Sequence, residues 1–144
     1  MRAGTENVSG IMSFKAAATE RHNNLVQDYQ KAVGVRDIFY KSLNGLGDII
    51  FNGGGENSPY IMSVSFKGIK AETLAALLDE RGVIVGLGSA CSASYSDNRV
   101  LSSMGIKKSY AEGSIRISIS PETTMKDAET AAGIIVDTVK ELRK

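Results

Sequence analysis

Residues Ser114 to Ser120 read Ser-Ile-Arg-Ile-Ser-Ile-Ser, the cleanest two-residue alternation in the chain. Successive side chains of a strand point to opposite faces. The pattern therefore predicts a strand with Ile115, Ile117 and Ile119 on a buried face and Arg116 among serines on the other. Such a strand needs a sheet to join and an apolar layer to cover its isoleucines. Three other segments qualify as strands. Tyr60 to Phe66 follows Pro59 and sets Met62, Val64 and Phe66 against Ile61, Ser63 and Ser65, so one face is buried. Asp48 to Phe51 reads as a short strand closed by the turn Asn52-Gly53-Gly54-Gly55, and Val83-Ile84-Val85 as a short buried strand.

The covering layer is helical. From about Phe14 to Leu43, Ala18, Leu25, Val26, Tyr29, Ala32, Val33, Phe39, Tyr40 and Leu43 recur at spacings of three and four, which predicts a long amphipathic helix. Asn44-Gly45 is suited to cap its end. Gly34 inside it costs up to about 1 kcal/mol relative to Ala, which points to a bend or a close contact there. Ala71 to Arg81 carries Leu74, Ala75, Leu77 and Leu78 on one side, and Gly82 supplies a left-handed stop. A short helix is expected from Arg99 to Met104. After Pro121, Thr123 or Thr124 can cap a closing helix whose Met125, Ala128, Ala132, Ile135, Val139 and Leu142 repeat every three or four residues.

The eight residues 52–59 between the first two strands permit an antiparallel pair, and the later strands are reached through helices. The expected fold is α/β: one mixed sheet of about four strands with helices packed on it. At 144 residues, 42% hydrophobic and without Trp, the chain can build one aliphatic core, so one domain spanning residues 1–144 is expected. A formal charge of +1 gives no electrostatic case for nucleic acid or an anionic membrane. No apolar run approaches the roughly 20 residues needed to span a bilayer, and Met1 to Asn7 contains no apolar signal core. A cytoplasmic location follows as the expectation. One Cys and one His argue against a disulfide framework or a zinc site.

Few residues could carry chemistry. Cys91 lies in Gly86-Leu87-Gly88-Ser89-Ala90-Cys91-Ser92-Ala93-Ser94-Tyr95-Ser96-Asp97-Asn98, a small and polar stretch that predicts a mobile loop and an accessible thiol. The alternative, a small inert core cysteine, stays open. Arg116 on a strand's polar face is a rigid mount for a fork that can hold a carboxylate, or else a solvated cation. Gly86-x-Gly88 is no dinucleotide turn, because Cys91 stands where the third glycine is required. Gly53 to Gly55 lacks the Lys and Ser or Thr of a phosphate loop, and His22 has no neighbour that would make it a base.

Four segments together resemble the cysteine desulfurases. They are Arg2-Ala3-Gly4-Thr5-Glu6-Asn7-Val8, Ser58-Pro59-Tyr60-Ile61-Met62-Ser63-Val64-Ser65-Phe66, Gly88-Ser89-Ala90-Cys91-Ser92 and Ser114-Ile115-Arg116-Ile117-Ser118. Their order and spacing match the C-terminal part of the long-loop group, which serves iron-sulfur cluster assembly. The resemblance implies the small C-terminal domain of a homodimeric, pyridoxal-phosphate-dependent enzyme of the aminotransferase fold that converts L-cysteine to L-alanine. It gives Cys91 the role of persulfide-forming nucleophile and Arg116 that of substrate-carboxylate ligand. Thr5 would contact the cofactor phosphate of the partner subunit. A scaffold or sulfur-carrier protein would accept the sulfur.

The family's cofactor-binding Lys, and the Asp and His that hold the pyridine ring, have no counterpart in this sequence. The chain is therefore expected to lack the N-terminal domain, to bind no pyridoxal phosphate alone and to be inactive alone. Tyr95-Ser96-Asp97-Asn98 also departs from the family's pattern, which leaves the acceptor open. The competing readings are a non-catalytic docking module and a stand-alone persulfide carrier.

Overall fold

The structure, a computed structural model, describes residues 4–54, 57–87 and 99–144. Its elements are α1 (Val8–Asn44), β1 (Ile49–Asn52), β2 (Ile61–Phe66), α2 (Ala71–Glu80), β3 (Gly86–Leu87), α3 (Arg99–Ser103), α4 (Lys108–Ala111), β4 (Ser114–Ser118) and α5 (Met125–Leu142). The four strands lie in the order β1-β2-β4-β3.

Every neighbouring pair is antiparallel, so a four-stranded sheet is found but the expected mixture of pair types is not. The reason is topological. Helix α2 does carry the chain between two strands of like direction, β2 and β3. β4, however, inserts between them and opposes both.

The alternation sets the layers. Met62, Val64, Phe66, Ile115 and Ile117 are buried on one sheet face and pack with Leu74 and Leu78 of α2, Ala132, Ile135 and Val139 of α5, and Val35, Phe39 and Leu43 of α1. Each large aliphatic or aromatic side chain so buried contributes about 1.5–3 kcal/mol.

Several boundaries are set by particular backbone groups. Asp48 has φ 54°, a left-handed conformation that Asp tolerates, so β1 starts one residue later than the sequence predicts. Its carbonyl and that of Gly47 accept from Arg143, just past the end of α5, at 3.0 and 2.6 Å. β4 ends at Ser118 because the Ser120 N–H turns to the Thr123 hydroxyl at 3.1 Å and Pro121 has no N–H to give. Thr124 makes the helix cap, in a capping box with Asp127. That hydrogen bonding holds the Asp127 carboxyl below its ordinary range. Gly82, at φ 79°, stops α2 as expected. Gly45, by contrast, is right-handed at φ −75°, so α1 ends there without the left-handed glycine cap. Gly34 is a close contact: a side chain there would meet the Met125 methyl at 2.7 Å.

Val83-Ile84-Val85 forms no strand. Val83 and Val85 pack on the core, but Ile84 is 85% exposed, and ladder pairing with β4 begins only at Gly86. Helix α4 carries no apolar repeat long enough to announce it in the sequence. The 37 residues of α1 extend about 55 Å. Its periodic face is buried only from Ala32 onward; residues 4–27 are all exposed, Ile11, Phe14, Leu25 and Val26 included. Arg21 nevertheless reaches Glu122 at 2.6 Å, and its guanidinium holds the Glu122 carboxyl down to about 2.

Gly113, just before β4, sits close against the backbone that ends β2. A Cβ on Gly113 would lie 2.1 Å from the Phe66 carbonyl oxygen and 2.7 Å from that of Ile69, so no rotamer change could relieve it. Gly113→Ala is expected to destabilise the chain by about 3 kcal/mol or more. Gly133→Ala, in α5 with open space around it, should instead add about 0.5–1 kcal/mol. Urea unfolding of both variants checks the contrast.

Candidate functional site

The face of the sheet opposite the core is polar and built by cross-strand pairing. Paired residues share a face, and the register sets Asn52 against Ser63, Ser63 against Arg116, Ser65 against Ser114, and Arg116 against Gly86. Asn52, three serines, Arg116 and Gly86 therefore form one surface spanning all four strands.

At its centre the Asn52 side-chain amide donates to the hydroxyls of Ser63 at 3.0 Å, Ser65 at 2.8 Å and Ser114 at 3.2 Å. Two hydrogens serve three hydroxyls, so the hydroxyls share them. Ser65 and Ser114 are buried although they lie on the face away from the core. Asn52 Oδ1 is also buried and has no hydrogen-bond partner among the described residues. Beside the cluster opens a cleft of about 590 Å³, with Arg36 and Tyr40 on one wall and Asn52, Asn57, Ser58 and Ser63 on the other.

Arg116 behaves differently. It is exposed, as expected, at the middle of a strand paired on both sides. Among the described residues it makes no hydrogen bond or ion pair. Its Nε and Nη2 lie 3.1 Å from where a Cβ would stand on Gly86. A charged fork on a stiff support with no internal partner can take a carboxylate in two parallel hydrogen bonds.

Of the other expected site residues only Thr5 is described, and it stands away from this surface. Of the predicted mobile loop Gly86 to Asn98, Gly86 and Leu87 instead form β3, paired with β4, while residues 88–98, Cys91 included, lie outside the described residues, as do Met1, Arg2 and Ala3. Thr5 is exposed just before α1; the helical rise puts Val8 about 35 Å along the axis from the buried Ala32. His22 sits on the exposed part of α1. Among the described residues no group of His, Cys, Asp and Glu could hold a metal ion, and no helix is long and apolar enough to cross a membrane. The sequence reading missed Asn52, Ser65 and Ser114 as a unit. Its only signal was serines at every second position of two strands.

The sequence profile of the aminotransferase class-V family matches residues 1–130. The chain belongs to that family. It is 37% identical over 146 residues, 98% of its length, to the putative cysteine desulfurase IscS 1 of Bacillus subtilis strain 168, and spans 38% of that protein. It is 32% identical over 145 residues to the cysteine desulfurase IscS of Neisseria gonorrhoeae, 99% of this chain and 35% of that protein. The structure is similar to a NifS-like protein from Rickettsia africae, with a TM-score of 0.81, 25% identity, and coverage of 96% of this chain and 36% of that one. A second NifS-like protein gives a TM-score of 0.78 at 27% identity, covering 99% of this chain and 35% of the other. The chain thus spans little more than a third of the length of these relatives, and its fold is that of a part of the class-V aminotransferase architecture.

Pyridoxal phosphate, the cofactor this family implies, needs a lysine amine, a partner for its ring nitrogen and several donors around its phosphate. Of the residues expected to serve it, only Thr5 is described, and its hydroxyl stands in solvent at the foot of α1. The described residues do not by themselves form a cradle for the cofactor.

Removing the Asn52 amide leaves buried hydroxyls without their shared donor, so Asn52→Ala should cost about 1–3 kcal/mol. Ser118→Ala, on an exposed residue of the same face, should change stability by less than about 0.5 kcal/mol. Chemical denaturation of the two variants checks the difference.

Proposed function

We propose that the chain is the C-terminal part of a cysteine desulfurase, which converts L-cysteine to L-alanine and moves the sulfur to Cys91 as a persulfide. The observation that carries the reading is Arg116: an exposed guanidinium, without a partner among the described residues, held at the centre of an antiparallel sheet, in the Ser-Ile-Arg segment that resembles the family's substrate-binding motif. The names of the relatives point the same way.

Arg116 binds the α-carboxylate of L-cysteine and so fixes the amino acid's orientation. The Cys91 thiolate then attacks the substrate sulfur. A sulfur–sulfur bond forms, the carbon–sulfur bond breaks with its electron pair left on carbon, and that carbon takes up a proton to become the methyl group of alanine. Pyridoxal phosphate, held by residues outside this chain with Thr5 as a contributor to its phosphate site, supplies the electron sink this chemistry requires. The persulfide passes to a scaffold or carrier protein of iron-sulfur cluster assembly.

The exposed apolar residues of α1 support the same reading. Ile11, Phe14, Leu25 and Val26 lie along a helix whose other half is packed in the core, as expected of a helix seated against the remainder of a homodimeric enzyme, which we place in the cytoplasm.

In the full enzyme, Cys91→Ala should abolish sulfide release from L-cysteine, a loss of at least about a hundredfold, while the cofactor's visible absorbance is retained. Arg116→Ala should raise KM for L-cysteine by about tenfold or more. The 144-residue chain mixed with pyridoxal phosphate should develop no visible absorbance band and release no sulfide. Sulfide release by the isolated chain that Cys91→Ala abolishes would overturn its assignment as an incomplete part.

A further inference from the structure

Among the described residues the Arg116 side chain has no hydrogen bond or ion pair to orient it, yet its guanidinium occupies a defined place. Nε and Nη2 lie 3.1 Å, and Cζ 3.4 Å, from the point a Cβ would occupy on Gly86, its partner in β3. The guanidinium fills the space that glycine leaves empty. With the Nε–Nη2 edge laid against β3, the Nη1–Nη2 end is the one left to accept a carboxylate in a two-bond fork.

We propose that Gly86 is a positioning residue: the side chain it lacks gives Arg116 its seat on β3 and thereby selects end-on capture of the substrate carboxylate. This rests on the reading of Arg116 as the carboxylate ligand. Alanine at 86 would push the guanidinium by a few tenths of an ångström. Valine, whose two branched carbons extend beyond a Cβ already 3.1 Å from Nε and Nη2, would evict it. Strand pairing itself tolerates valine well, so the change acts on the arginine rather than on the sheet.

The test is a double-mutant cycle in the full desulfurase, with L-alanine as the probe and its dissociation constant read from the cofactor's absorption. KM and kcat for L-cysteine are measured alongside. Gly86→Val should weaken L-alanine about tenfold and raise KM more than it lowers kcat, whereas in the Arg116→Ala background the same substitution should change affinity less than twofold. Gly86→Ala should give the same pattern at about two- to fivefold, and it serves if the valine variant does not fold. An equal effect of Gly86→Val in both backgrounds, or no effect in either, overturns the positioning role while leaving Arg116 as the ligand. If Arg116→Ala alone does not weaken L-alanine, the carboxylate reading fails first and this inference falls with it.

Discussion

The two-sidedness of β4 is the constraint from which the rest of the molecule follows. Ile115 and Ile117 are buried against three helices, while Arg116 between them is exposed on the opposite face. A shift of one residue would put a guanidinium into an aliphatic core and two isoleucines into water, a change no marginally stable domain survives. β4 is paired on both sides, and Gly113 just before it approaches the Phe66 carbonyl so closely that no side chain fits. Backbone contact and apolar burial therefore fix the same register, and with it the direction of Arg116.

The polar face is consistent with that demand. Three serines from β2 and β4 are tied together by the side-chain amide of Asn52 of β1 at the end of the sheet where β2 and β4 are most buried. A connected polar network stiffens the sheet without an ion pair, and among the described residues nothing on that surface pairs with the Arg116 guanidinium. The ion pairs, such as Arg81 with Glu141 and Arg21 with Glu122, are exposed to solvent, where their worth is small.

The period-two strands, the helix starting at Thr124, the stop at Gly82 and the outward direction of Arg116 were legible in the sequence, because each is a local consequence of side-chain spacing or backbone freedom. What was not legible depends on partners distant in the chain. Val83-Ile84-Val85 has strand composition but lies beyond the part of β3 that pairs with β4. The serines looked solvent-facing by alternation, yet two are buried once Asn52 covers them. The seat of Arg116 on Gly86 depends on two strands 30 residues apart meeting in one register. The first turns of α1 extend beyond the predicted start, since Asn7 caps the helix with its side chain on Gly10 N–H. Such capping leaves no periodic trace.

A structure of the full enzyme with L-alanine bound measures the central claim directly. The amino acid's carboxylate is expected on the serine face of the sheet, with Nη1 and Nη2 of Arg116 each at about 2.7–3.1 Å from one of its oxygens. A carboxylate held by some other cation, with the Arg116 guanidinium turned away from it, would contradict the account.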